Sequence, residues 1–202
     1  MNAWHVFGLD LGQTSDFSAL ALLARDRAGV YAVTHLRRWQ LGTRYTDVVR
    51  DVAALTRKPP LHNPPLVVDG TGVGAAVVDL FLEADMPGRV VPVVITGGAR
   101  ASLDAETGRL HVPKRELAST LQVLMQSRRL VVARGVELAE TLAREMANFK
   151  VKVTASANET YEAWRSGDKD DLVLAVAVAA WVAERAWATS QEEYDGGVVI
   201  TA

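Results

Sequence analysis

Residues 5–9, 17–24 and 30–39 are three short apolar runs, and the turns between them are too short to hold a helix. Strands joined by such turns fold back on one another, so the chain is expected to open with three antiparallel neighbours. Gly12, Gln13, Thr14 and Ser15 make the first turn, and Asp26 with Gly29 marks a hairpin at the second. The pattern then changes. Apolar side chains at 45, 48, 49, 52 and 55 have helical spacing, and the proline-rich KPPLHNPP stops that helix. Residues 66–68 form a compact strand that delivers Asp69, glycines 70, 72 and 74 form a turn, and 73–82 reads as a helix. With a fifth strand at 90–95, the middle of the chain is a strand–helix–strand unit.

Beyond it the rhythm loosens. Residues 102–112 suggest a hairpin turning at Glu106, Thr107 and Gly108. Residues 114–127 and 136–149 have helical patterns separated by the apolar piece 130–133, and 149–153 reads as another strand or an extended link. Residues 154–168 are polar and irregular apart from Tyr161 and Trp164. A last helix is expected over 171–188, followed by a weakly ordered tail at 189–202. At 202 residues and 49% hydrophobic content, one α/β domain over 1–188 is the expectation. The apolar stretch LVLAVAVAAWV, residues 172–182, is too short to cross a bilayer and suits a helix buried in a core. The start MNAWHVFGLD does not read as a secretion signal. Without cysteine there are no disulfides or thiolate metal sites, and the net charge of −2 neither supports nor excludes a nucleic-acid partner.

Carboxylates stand where the backbone changes element. Asp10 ends the first apolar run, Asp69 ends the fourth, and Asp170 and Asp171 open the last helix. Acids at the C-terminal ends of buried strands lie where open α/β sheets bind ligands. Were strands one and four adjacent, about 4.8 Å apart, Asp10 and Asp69 could share a cation, and the last helix could bring in Asp171 with Asp170 beside it. Each acid also has a local explanation. Asp10 can brace the glycine turn, Asp69 before Gly70 is ordinary turn chemistry, Asp170 suits a helix N-cap, and Asp171 suits the first-turn dipole. Spacing alone leaves both readings open.

Asp16 can reach back as an outer ligand or cap the turn, and Lys169 can contact a phosphate or relieve carboxylate repulsion. DGTGVG lacks the order of a dinucleotide fingerprint, no GxxxxGK[ST] occurs, and its simpler role is a tight turn beside Asp69. Lys114, Arg115, Arg128 and Arg129 bracket one helix and could form a phosphate-contacting edge. The remaining basic groups read as solvated surface. Trp39, Trp164, Trp181 and Trp187 read as core or interface aromatics, and His35, His62 and His111 show no metal-ligand spacing.

On these residues the chain resembles the C-terminal nuclease domain of phage large terminase subunits. FGLDLGQTSDFSALALL is similar to that family's first strand, acidic turn and second strand. PPLVVDGTGVGAAVVDLF is similar to its second acidic motif, and GDKDDLVLAVAVAAW to its closing acidic pair. The resemblance runs from about residue 4 to 187 in matching order, and VPKRELASTLQVLMQSRRLVV also looks typical of a phage-derived version. It implies a ribonuclease H-like mixed sheet flanked by helices, with metal-dependent cleavage of double-stranded DNA during genome packaging. Asp10, Asp69 and Asp171 would be the catalytic metal ligands, joined by Asp170, with Asp16 and Lys169 auxiliary. Lys169 stands where related motifs often carry histidine. The cofactor would be Mg2+ or Mn2+, two ions in all. The partners would be DNA, portal and small terminase, in the cytoplasm of a bacterial host. The packaging ATPase of the full family protein is not in this sequence, and the isolated domain is expected to be monomeric with no membrane association. A Holliday-junction resolvase-like nuclease, dimeric and selective for branched DNA, is one alternative, and a non-catalytic packaging-complex module is another.

Overall fold

The structure is a computed structural model that describes residues 4–12, 16–73, 75–155 and 169–195. The elements in chain order are β1 (Trp4–Asp10), β2 (Ala19–Arg25), β3 (Tyr31–Arg38), α1 (Tyr45–Thr56), β4 (Leu66–Asp69), α2 (Ala75–Glu83) and β5 (Val90–Thr96), then β6 (Ser102–Leu103), β7 (Leu110–Pro113), α3 (Lys114–Gln126), β8 (Leu130–Val132), α4 (Ala139–Ala155) and α5 (Asp171–Asp195). The eight strands form one mixed sheet in the order β6-β7-β5-β4-β1-β2-β3-β8. β1, β2 and β3 pair antiparallel as their short turns require, while β4 lies parallel to β1 and β5 parallel to β4.

Alternation along the strands divides the core into two layers. Val6 of β1, Ala19, Ala21 and Leu23 of β2, and Val67 of β4 face a layer built from α3, α4 and α5. Phe7, Leu9, Leu20, Leu66 and Val68 face the opposite layer, where Val48 and Val52 of α1 and Phe81 of α2 pack. The first layer centres on α5, whose residues 172–181 are all buried, so a helix apolar on every side is sandwiched as such a helix must be. Among the described residues no helix is long and apolar enough to cross a membrane.

α5 sits close to the sheet because Gly8 of β1 has no side chain. A Cβ there would meet the Ala175 carbonyl oxygen at 1.9 Å and the Ala179 Cβ at 2.9 Å. Ala175 and Ala179 are one helical turn apart, so β1 and α5 touch through their smallest residues along a full turn.

At the far edge α3 ends in a left-handed cap. Arg128 takes φ 56°, the Arg129 amide donates to the Leu124 carbonyl at 2.7 Å, and the Arg128 amide donates to Met125 at 3.1 Å. Arg129 then ties the edge together, donating to the Gly29 carbonyl at 2.9 Å and to both carboxylate oxygens of Glu184 on α5 at 2.6 and 3.0 Å. The Tyr31 hydroxyl donates to the same Glu184 at 2.8 Å.

Three expectations change. Residues 149–153 are neither strand nor link but helix, because α4 continues to Ala155. α4 also begins at Ala139 rather than 136, after Leu138 at φ 66°. α5 runs on to Asp195, so the first part of the expected tail is helical. Residues 156–168 and 196–202, including Tyr161 and Trp164, lie outside the described residues.

Gly8→Ala is expected to drive α5 off β1, at a cost near the upper end of overpacking, about 3 kcal/mol. In a chain of this size that lowers the melting temperature by roughly 6–12 °C in calorimetry. An unchanged transition would mean that α5 does not seat on Gly8.

Candidate active site

The alternation that builds the core also builds the site. Asp10 follows Val6 and Gly8 on the α5 side of β1, and Asp69 follows Val67 on the same side of β4. In the parallel pairing Asp10 stands directly beside Asp69. On α5, Asp171 precedes Ala175 by one turn, about 6 Å, while Asp10 lies two residues beyond Gly8, a similar distance along the strand. The Gly8 contact therefore delivers the N-terminus of α5, with Asp171, to the end of β1.

These carboxyls act on one another. The Asp10 carboxyl is packed round by protein, and this desolvation pushes its pKa well above the usual range. Asp69, Asp171 and Asp170 push it further, in that order, and Lys114 opposes them. Asp69 is buried and also raised by desolvation, held back by Thr71, Lys114 and a hydrogen bond with Asp10. Thr71 fixes one face of that acid. Its amide and hydroxyl both donate to Asp69 Oδ1, at 2.9 and 2.5 Å, and its hydroxyl accepts the Ile95 amide at 2.7 Å. Asp171 is 4% exposed and is pushed up to about 6 by burial, against the pull of Arg38 and with repulsion from Glu145 and Asp170.

Two residues hold Asp171 in place, Glu145 and Arg38. The sequence leaves Glu145 unassigned and puts Arg38, with Arg37, on the solvated surface, yet Arg38 lies largely buried against Glu145 and Asp171. Glu145 of α4 accepts the Leu172 and Val173 amides at 2.9 and 3.1 Å, capping α5 from a different helix. The Arg38 guanidinium binds Glu145 and lies 3.2 Å from Asp171 Oδ2. Asp170, expected as a cap or a ligand, contributes its carbonyl to the first helical bond, with Leu174 at 2.9 Å, and its carboxylate lies 3.7 Å from Lys114 Nζ. Nothing in the sequence around Glu145 marks it as a cap, because the helix end it serves is 26 residues away.

Asp16 and Lys169 form an exposed pair at the rim, 3.0 Å apart, with Lys169 Nζ and the Arg38 guanidinium over the Phe17 ring at 5.4 and 4.8 Å. Residues 13–15 of the acidic turn lie outside the described residues. The four basic residues around α3 separate. Lys114 and Arg115 open the helix at the acidic end, where Arg115 donates to the Ala99 carbonyl. Arg128 and Arg129 lie past its other end, roughly 20 Å away.

The residues fit a divalent cation. Hard oxygen donors converge in a site whose charge is incompletely balanced, and among the described residues buried Asp171 Oδ2 has an ion pair with Arg38 but no hydrogen bond. Among the described residues no three acids or histidines are arranged as a ready-made metal cage, and Asp171 is paired with Arg38. Water or phosphate oxygens would complete the coordination.

The raised acids give a signed pH dependence. Asp171 binds its proton more tightly folded than unfolded, so its contribution falls as pH rises from its ordinary value, 3.8, through about 6. In chelator, the folding free energy of the metal-free protein should drop across this window. Asp171→Asn should flatten the drop by on the order of 1–3 kcal/mol in denaturant titrations. Identical slopes in both proteins would contradict the assignment.

No protein-family profile matches the chain. The large terminase subunits of Thermus virus P23-45 and Thermus phage G20c are each 25% identical to it over 178 residues, 87% of the chain. The chain spans 31% of the length of these relatives. Among solved structures it is similar to the large terminase nuclease of thermophilic phage G20c, with TM-score 0.59 and 23% identity over 88% of this chain and 81% of that one. It is also similar to the human cytomegalovirus terminase nuclease domain, TM-score 0.60 and 13% identity over 93% and 86%. A third is the large terminase nuclease domain of bacteriophage SPP1, TM-score 0.52 and 13% identity over 91% and 86%. In sequence the chain is similar to phage large terminase subunits, and in fold it is similar to large terminase nuclease domains.

Proposed function

We propose that this chain is a divalent-metal-dependent endonuclease that cuts double-stranded DNA during phage genome packaging. The observation that carries the reading is the convergence of Asp10, Asp69 and Asp171 at one end of the sheet, where burial favours protonation of each and Asp69 and Asp171 add repulsion at Asp10. A fold built around such a cluster gains from binding a cation there. The cytomegalovirus neighbour was soaked with manganese and the SPP1 neighbour carries bound manganese, in line with this reading.

Asp10, Asp69 and Asp171, with Asp170 beside them, would hold Mg2+ or Mn2+, two ions in all. When bound, the ions supply an activated water and charge relief at the scissile phosphate. The protein's own task is to hold these carboxyls still. Thr71 fixes Asp69, and Glu145 with Arg38 fixes the start of α5. Lys114 and Arg115, at the acidic end of α3, would meet the DNA backbone, and the Asp16–Lys169 pair lies at the rim. Arg128 and Arg129 would meet only a duplex that continues along α3, and Arg129 is already committed to Glu184. Hydrolysis would leave a 5′-phosphate and a 3′-hydroxyl. Portal, small terminase and a packaging ATPase are the proposed partners, and the cytoplasm of a bacterial host is the proposed setting.

Asp10→Asn should reduce Mg2+- or Mn2+-dependent nicking of supercoiled plasmid to the level of a chelator control. The same change removes a repelled buried charge, so at neutral pH the metal-free variant should melt no lower than the parent. Full cleavage by a folded Asp10→Asn protein would overturn the proposal.

A further inference from the structure

Resting on the proposal that the acidic cluster holds divalent ions, a further role follows from Arg38. This residue reaches the site by an irregular route. β2 and β3 shift register at Leu22 and Leu23, so Leu22 pairs with His35 while Leu23 pairs with Val33, leaving Thr34 as the extra residue. Tyr31 and Val33 face α5 before the bulge, and Leu36 does so after it. The bulge thus changes which residues face inward, putting Arg38 on the α5 side and Arg37 opposite, where it binds Asp51 of α1. Asp69, Asp10, Ala19 and Arg38 then stand in one cross-strand row, two acids and a cation with the small Ala19 between.

The guanidinium is shared. It binds Glu145 and Asp171 through the same Nη2 nitrogen, and the Phe17 ring lies against it. Among the described residues its buried Nε has no hydrogen-bond partner, and neither has the buried Asp171 Oδ2. The Arg38–Asp171 link is therefore an ion pair without a directed hydrogen bond, while Glu145 provides a second hold on Arg38. A cation taking Asp171 from Arg38 would leave the guanidinium anchored on Glu145, and Glu145 still capping α5 through its other oxygen. Asp10 and Asp69 have no arginine beside them in the row.

We propose that Arg38 is the resident counter-charge of Asp171, so that a first divalent ion loads on Asp10 and Asp69, and a second loads only when it takes Asp171 from the guanidinium. Arg38 is on this view a positioning residue that sets the order of metal loading. Without DNA the two sites differ in affinity, and the difference is a property of Arg38 rather than of the acids.

The test is Mn2+ titration of the DNA-free protein, read by the EPR signal of free Mn2+. The parent is expected to bind one ion tightly and a second at least tenfold more weakly. Arg38→Met should bring the second affinity to within about threefold of the first, leave the first within about twofold, and keep the circular dichroism of the parent. Because that variant strands the buried Glu145 charge, Arg38→Met with Glu145→Gln is run beside it; glutamine retains an oxygen to accept the α5 amides. Two equal sites in the parent, or an unchanged gap in whichever variant folds, would overturn the role of Arg38 while leaving the metal centre standing. A parent that binds no Mn2+ would overturn the metal reading itself and this inference with it.

Discussion

The architecture depends on one close approach, the backbone of α5 against Gly8 of β1. It fixes the helix along the strand as well as above it, since Ala175 and Ala179 straddle the glycine. The helix start is thereby referred to the strand end, and an acid on each becomes part of one site. Larger residues at these positions would separate the layers, and Asp171 would lose its relation to Asp10. Core packing and site geometry are here the same constraint.

That geometry has an electrostatic cost. Around the end of β1 stand the carboxyls of Asp10, Asp69, Asp170, Asp171 and Glu145, against Arg38 and Lys114. Burying unbalanced charge is unfavourable, so the acids hold protons at pH values where free aspartate would have lost them. The fold tolerates this because its stability comes from elsewhere: an apolar helix between a sheet and two helices, and the Arg129–Glu184–Tyr31 ties at the far edge.

Much of this was legible in the sequence, for physical reasons that also mark its limit. Asp10 and Asp69 end apolar runs, and strand alternation then dictates their side of the sheet. Asp171 opens an apolar stretch that has nowhere to go but the core. These are local signals. Arg38 was not legible, because its direction depends on a bulge four residues earlier that periodicity does not reveal. Glu145 was hidden for a different reason: it caps a helix that begins well beyond its own. Arg128 looked like half of a basic patch, yet it occupies the left-handed position that ends α3, where glycine is more usual. Residues 149–153 looked extended from their apolar and basic alternation, but the helix already under way continues through them.

The balance of charge also bears on how such a site would take a metal. Its acids hold their protons more tightly than free aspartate does, so a cation would arrive in competition with protons as well as with Arg38 and Lys114. Lys114 cannot substitute for a divalent ion, because its contact with Asp170 at 3.7 Å lies at the side of the cluster and its charge is spread over several acids. Arg38 comes closer to that role, but it reaches Asp171 and not the Asp10–Asp69 pair. The unmet charge therefore lies between β1 and β4, where Asp10 and Asp69 stand side by side. A proton can satisfy that pair at low pH. At neutral pH a divalent cation would satisfy it better, since it would neutralise both acids at once and add coordination sites for water and phosphate oxygens.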